Sequence, residues 1–106
     1  MTKLTDYTSY ADAQAHANSD ALWDLFDGNR EKLNIAHECI VRHADGSGRP
    51  AVRIANSDGT SEAYSFDEIA AGAARFAHWL EANGVKPGDR IAFMLEPSLP
   101  FYICMF

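Results

Sequence analysis

Apolar positions along the chain follow two periods, and the breaks between them mark its elements. The opening stretch, MTKLTDYTSYADAQAHANSD, is Ala-rich and polar. In SDALWDLF, residues Leu22, Trp23, Leu25 and Phe26 fall at spacings that suit one face of a short helix beginning after Ser19 or Asp20. Residues 1–33 are therefore expected to pack as an outer arm. DGNREK interrupts the pattern, and NIAHECIVRHA resumes it, with Asn34 as a helix cap and Ile35, Cys39 and Ile40 along one stripe. Cys39 is then expected to be a core thiol.

DGSGRP reads as a loop, after which AVRIA alternates, Val52 and Ile54 on one face and Arg53 on the other. NSDGTS reverses the chain into EAYSF, which carries Tyr64 and Phe66, so residues 51–65 are expected to form a β-hairpin. Ser65 and Glu68 have the spacing of a capping box, in which hydroxyl and carboxylate each satisfy a backbone N–H at a helix start. From there Ile69, Ala70, Ala73, Phe76, Ala77 and Leu80 form one helical stripe, expected to pack on a sheet, with Trp79 and the phenylalanines in the core. Asp67, Arg75, His78 and Glu81 lie on other faces.

Gly84 is placed to end that helix, with Val85 folding back and Pro87 blocking continuation. PGD turns the chain into RIAFML, an apolar run without alternation, read as a strand covered on both faces in a parallel sheet. Ser98 caps a last helix, Pro100 fits its first turn, and Phe101–Phe106 reads as a helix begun and not finished. Strand, helix, strand, helix predicts an α/β fold.

With 106 residues, 47% hydrophobic and 23% charged, the chain has the composition of one soluble domain with a modest core. Its formal charge of -6, from 15 acidic and 9 basic residues, includes no Lys/Arg cluster to follow a phosphate backbone, so nucleic acid is not an expected partner. No apolar segment follows a basic start, which predicts a cytoplasmic protein without a secretory signal. The final apolar run is far shorter than the roughly 20 residues that span a bilayer, so no membrane partner is expected. Cys39 and Cys104 lack a paired spacing, and neither a disulfide nor a zinc site is indicated.

Candidate chemistry is sparse. His37, Glu38, Cys39 and His43 are close in sequence, but on a helix their side chains point in different directions rather than towards one metal. GSGRPA, at 46–51, fits the G-x-G-x-x-A dinucleotide pattern in letters only, since that pattern needs a strand before it and a helix after it. No Ser sits in a G-x-S-x-G elbow, and neither cysteine has an evident activating base. Asp67 and Glu68 are explained by the positive end of the helix they begin. No catalytic, cofactor-binding or metal-ligating residue is assigned.

Three segments nevertheless resemble the AMP-forming acyl-CoA synthetases of the adenylate-forming, AMP-binding superfamily. YSFDEI, at 64–69, resembles the family's first core motif, and GVKPGDRIAFMLEPSLPF resembles its turn into a buried strand and the helix beyond. WDLFDGNREKLNIAHECIVRHADG is similar to the amino-terminal approach of acetyl- and medium-chain acyl-CoA synthetases. The likeness runs from about Trp23 to Phe106. It implies that 1–106 is a partial amino-terminal domain, with an arm at 1–33 and the start of the α/β subdomain at 34–106. It also implies a parent ligase that joins a small carboxylic acid to CoA with ATP and Mg²⁺, the fragment alone being inactive. No Ser/Thr/Gly-rich loop ending in Lys occurs here, so no ligand residue is transferred. A reading from another class is a noncatalytic interaction module that binds a partner, or itself as a homo-oligomer, through its apolar C-terminal segment.

Overall fold

A computed structural model describes residues 1–106. Contacts divide the chain into two units, Met1–Asn34 and Ile35–Phe106. In the first, a 3-10 turn at Leu4–Asp6 precedes helices α1 (Tyr10–Ala15) and α2 (Ser19–Trp23). The cap of α2 is Asn18 rather than Ser19 or Asp20, because its Oδ1 accepts from the Ala21 amide at 2.9 Å. Arg30 ties the end of the unit to α2, donating to Ser19 Oγ at 2.7 Å and Asp20 Oδ1 at 3.3 Å and lying over the Trp23 ring. No residue of this unit is fully buried, and Leu22 and Phe26 remain exposed.

The second unit begins with helix α3 (Ile35–Cys39) and a 3-10 turn at Val41–His43. The expected stripe is corrected here, because Ile35 and Cys39 are exposed while Glu38 and Ile40 are buried. A helix of this length followed at once by a tighter turn does not keep the 3.6-residue period on which the stripe was counted. Strands β1 (Pro50–Ala55) and β2 (Ser61–Ser65) form an antiparallel hairpin, with Val52 opposite Tyr64, Ile54 opposite Glu62 and an irregularity between Pro50 and Val52. Ile54 faces inward and Arg53 outward, as the alternation predicts. Gly59 closes the turn at φ 86°.

Helix α4 (Phe66–Ala82) starts at the predicted capping box, with Ser65 Oγ accepting from the Glu68 amide at 3.1 Å and Glu68 Oε2 from the Ser65 amide at 2.7 Å. It ends at Gly84, φ 80°, where the Gly84 amide donates to Glu81 O at 3.0 Å and the Val85 amide to Leu80 O at 3.1 Å. Its stripe meets the hairpin sheet, as expected, together with the 3-10 turn and helix α5 (Leu99–Met105). Gly72 is buried where α5 approaches. Ile69 is fully buried, and with Ile40 and Ile54 it makes up a thin core. Trp79 is 59% exposed and belongs to no core, and Ala77 is exposed as well.

The chief departure concerns RIAFML. Residues 90–95 pair with nothing, and the only sheet is the antiparallel hairpin. A strand needs a neighbour to satisfy its backbone, and neither β1 nor β2 pairs with this run. Ile91, Phe93, Met94 and Leu95 are all exposed, Met94 at 98%. The fold is thus mixed α and β without the parallel sheet that the sequence order suggested. Ser98 caps α5 as expected, its hydroxyl accepting from the Phe101 amide at 3.4 Å, and Phe101, Ile103 and Phe106 are half-buried rather than bare.

Candidate functional site

The start of α4 is where most of the polar chemistry of the second unit converges. Phe66 occupies its first position because the capping box turns the chain there. The His43 ring packs against it with centroids 5.2 Å apart, the Arg49 guanidinium lies 4.9 Å over its face, and its amide donates to Arg49 O at 3.1 Å. Beside it, Asp67 Oδ1 accepts from the Gly46 amide at 3.0 Å, which anchors the 44–49 loop to the helix start. Gly46 and Gly48 both take positive φ, so the loop that imitates a dinucleotide motif is occupied in connecting His43 to β1.

Glu38 is buried and its Oε2 receives the Arg42 guanidinium at 2.6 Å. His43 Nε2 donates to the Glu38 carbonyl at 3.1 Å, which makes the imidazole a structural strut. Cys39 turns away to solvent. His37, Glu38, Cys39 and His43 therefore do not come together, and no three His, Cys, Asp or Glu side chains gather anywhere to hold a metal ion. The Glu38–Arg42 pair escaped sequence reasoning, although its i, i+4 spacing was the signal that could have found it.

Three groups have displaced pKa values, and in each the leading cause is a neighbouring hydrogen bond rather than burial. Ser47 holds the Asp45 carboxyl below its ordinary range, Thr60 does the same for Asp58, and the Glu62 carboxylate raises the Tyr64 hydroxyl. All three serve turns or the hairpin surface. A poised acid or base would call for desolvation in a cleft together with a specific charge partner.

Two concavities stand out. One, of about 520 Å³, lies within the first unit among Lys3, Tyr7, His16 and Asp24, where the Tyr7 and His16 rings stack at 4.8 Å. His16 Nδ1 donates to Asp12 O at 2.8 Å, which fixes the ring. The other is an apolar groove of about 200 Å³ between α4, Ile91, Phe93 and the end of α5, with Cys104 in its wall. Neither brings together a nucleophile, a base and a donor for developing charge.

Comparison with known proteins supplies what the site does not. The sequence profile of a family described as AMP-binding enzyme matches residues 42–106, from the 3-10 turn through the capped α4 to the end of α5. The chain is 32% identical over 92% of its length to an acetyl-coenzyme A synthetase of Alkalilimnicola ehrlichii and 30% identical over 89% to one of Desulfatibacillum aliphaticivorans. It is 37% identical over 65% of its length to one of Streptomyces avermitilis. It spans only 15%, 14% and 11% of those relatives, respectively. No solved structure matches it. With the profile running through the cap, turn and helix that the structure displays, the chain belongs to the AMP-binding enzyme family.

Proposed function

We propose that this chain is a structural part of an AMP-forming acyl-CoA ligase, with an arm at 1–33 and the start of an α/β subdomain at 34–106. The observation that carries the reading is the family match over residues 42–106. In the reaction a carboxylate attacks the α-phosphorus of ATP, giving an acyl-adenylate and pyrophosphate. The CoA thiol then attacks the acyl carbon, forming the thioester and releasing AMP and the thiol proton. The relatives named as acetyl-coenzyme A synthetases favour a small carboxylic acid as the substrate. A cytoplasmic location goes with this reading.

The residues present do not fit the cofactors. Magnesium finds no gathered donor set, and no Ser/Thr/Gly-rich loop ending in Lys is available for the ATP phosphates. No step is therefore assigned to a side chain of this chain, whose part is to build and cap α4 and to hold α5 against it. The test is pyrophosphate release by the whole protein with ATP, CoA and a panel from acetate to medium-chain acids. Release dependent on a short carboxylate is expected, and its absence with every acid would refute the reading. Turnover by residues 1–106 alone would refute the placement of the chemistry outside them.

The exposed run at 91–95 favours a second reading, a noncatalytic interaction module. A whole protein inert towards every carboxylate would leave that reading standing.

A further inference from the structure

Asn83 and Gly84 form the only Asn–Gly pair in the chain, and they stand where α4 stops. Asn–Gly is the pair most prone to close a succinimide, because no side chain on the glycine crowds its nitrogen. The end of α4 occupies every group that this reaction needs. Asn83 Nδ2 donates to Trp79 O at 2.8 Å, the Gly84 amide to Glu81 O at 3.0 Å and the Val85 amide to Leu80 O at 3.1 Å. Asn83 itself has φ -94° and ψ 14°. A succinimide needs Cβ and the Gly84 nitrogen nearly eclipsed about the Cα–C bond of Asn83, more than a quarter turn from that ψ. All these partners lie between residues 79 and 85, so the arrangement is set by the helix end itself and not by what the rest of the protein places beside it.

We propose that Asn83–Gly84 is a site of spontaneous deamidation gated by fraying of the last turn of α4. When the turn opens, the Gly84 amide gives its proton to solvent base and its nitrogen attacks Asn83 Cγ. The N–Cγ bond forms, the Cγ–Nδ2 bond breaks, and Nδ2 leaves as ammonia with one proton regained from solvent. Water then adds to either imide carbonyl and breaks the bond from that carbon to nitrogen, leaving aspartate or isoaspartate at position 83. The net change takes up one water and releases one ammonia, with no oxidant or reductant.

Neither product restores the helix end. Aspartate places a negative charge at the negative pole of α4 and has no side-chain N–H to give to Trp79 O. Isoaspartate lengthens the backbone by a methylene, which takes the Gly84 and Val85 amides out of register with Glu81 O and Leu80 O. The bonds that delay the reaction are thus the bonds that it removes.

The test follows the tryptic peptide Phe76–Arg90, which stays whole because Pro87 blocks cleavage at Lys86, from full-length protein incubated at neutral pH. Incubation in heavy-oxygen water separates conversion in the folded protein from conversion during digestion. The synthetic peptide of the same sequence gives the unprotected rate, and hydrogen exchange of the Gly84 amide is measured in the same protein. Three hydrogen bonds, each worth about fivefold, predict conversion roughly a hundredfold or more slower than in the free peptide. Exchange and cyclisation both need the same nitrogen freed and deprotonated, so the protection of the Gly84 amide should equal that retardation within about threefold. Val85→Pro, compared with its own peptide, withdraws one of the bonds and should remove at least about fivefold of the retardation. Conversion at the free-peptide rate while the Gly84 amide is protected overturns the proposal, as does a retardation that Val85→Pro leaves unchanged. No conversion over a period in which the measured protection predicts it would overturn it too.

Discussion

Replacing Gly72 by alanine sets two effects of opposite sign against each other. Alanine in a helix interior gains about 1 kcal/mol over glycine. Its Cβ, however, would stand 2.6 Å from Ile103 Cδ1 and 2.8 Å from Ile103 Cγ1, and overpacking of this kind costs about 1–3 kcal/mol. Rotation about χ2 moves only Cδ1, whereas Cγ1 is placed by χ1, which a β-branched residue in a helix holds in one well. Relief therefore requires α5 to move outward, and a net loss of about 1 kcal/mol is expected. Ile103→Ala removes both obstructing atoms, and in that background Gly72→Ala should become stabilising by about 1 kcal/mol. Urea unfolding of the four variants, followed by helical circular dichroism at low micromolar concentration, closes a double-mutant cycle with a coupling of about 2 kcal/mol. A gain from Gly72→Ala alone, or a coupling below about 0.5 kcal/mol, would refute the claim that the approach of α5 requires glycine here.

Ser65→Ala and Glu68→Ala should each cost about 1 kcal/mol in the same assay by opening the capping box, and the double variant should cost less than their sum. Arg42→Ala withdraws the guanidinium from buried Glu38; with Arg42 itself a quarter exposed, a loss of about 2 kcal/mol is expected, and Glu38→Gln combined with Arg42→Met should recover part of it. The Thr60 hydroxyl and amide, at 2.6 and 2.9 Å, hold the Asp58 carboxyl low. Its contribution is therefore present above about pH 4, the unfolded value, and is lost as pH falls through the lower folded one. Asp58→Asn should flatten that part of the acid-unfolding profile, and an unchanged profile would count against the hydrogen bonds as its source.

What the sequence made legible was what neighbours along the chain decide. The Ser65–Glu68 box, the Gly84 stop, the hairpin from Pro50 to Ser65 and the Ser98 cap each depend on contacts within a few residues, and each was found where expected. The failures depend on distant partners. Cys39 looked like core because a helical stripe was extrapolated through a 3-10 turn, and Trp79 because periodicity does not report which faces find a neighbour. RIAFML has the composition of a covered strand, but pairing is a property of two segments, and neither strand of the hairpin pairs with it. The family was legible because its motifs coincide with those local signals, whereas no single residue at the α4 start announced the convergence on Phe66.

That convergence bears on the order in which the second unit assembles in time. His43, the 44–49 loop, the hairpin and the first turn of α4 all meet at Phe66 through partners no more than about two dozen positions away in the chain. Closing such short loops takes well under the time of a hairpin to form, so these segments can commit to one another before α5 arrives. The α4–α5 contact, by contrast, joins Gly72 to Ile103 across the whole of the 83–98 connection. The first turn of α4, at Phe66, then belongs to a nucleus formed early, and the helix from Gly72 onward is a late docking surface whose rate responds to the length and stiffness of that connection.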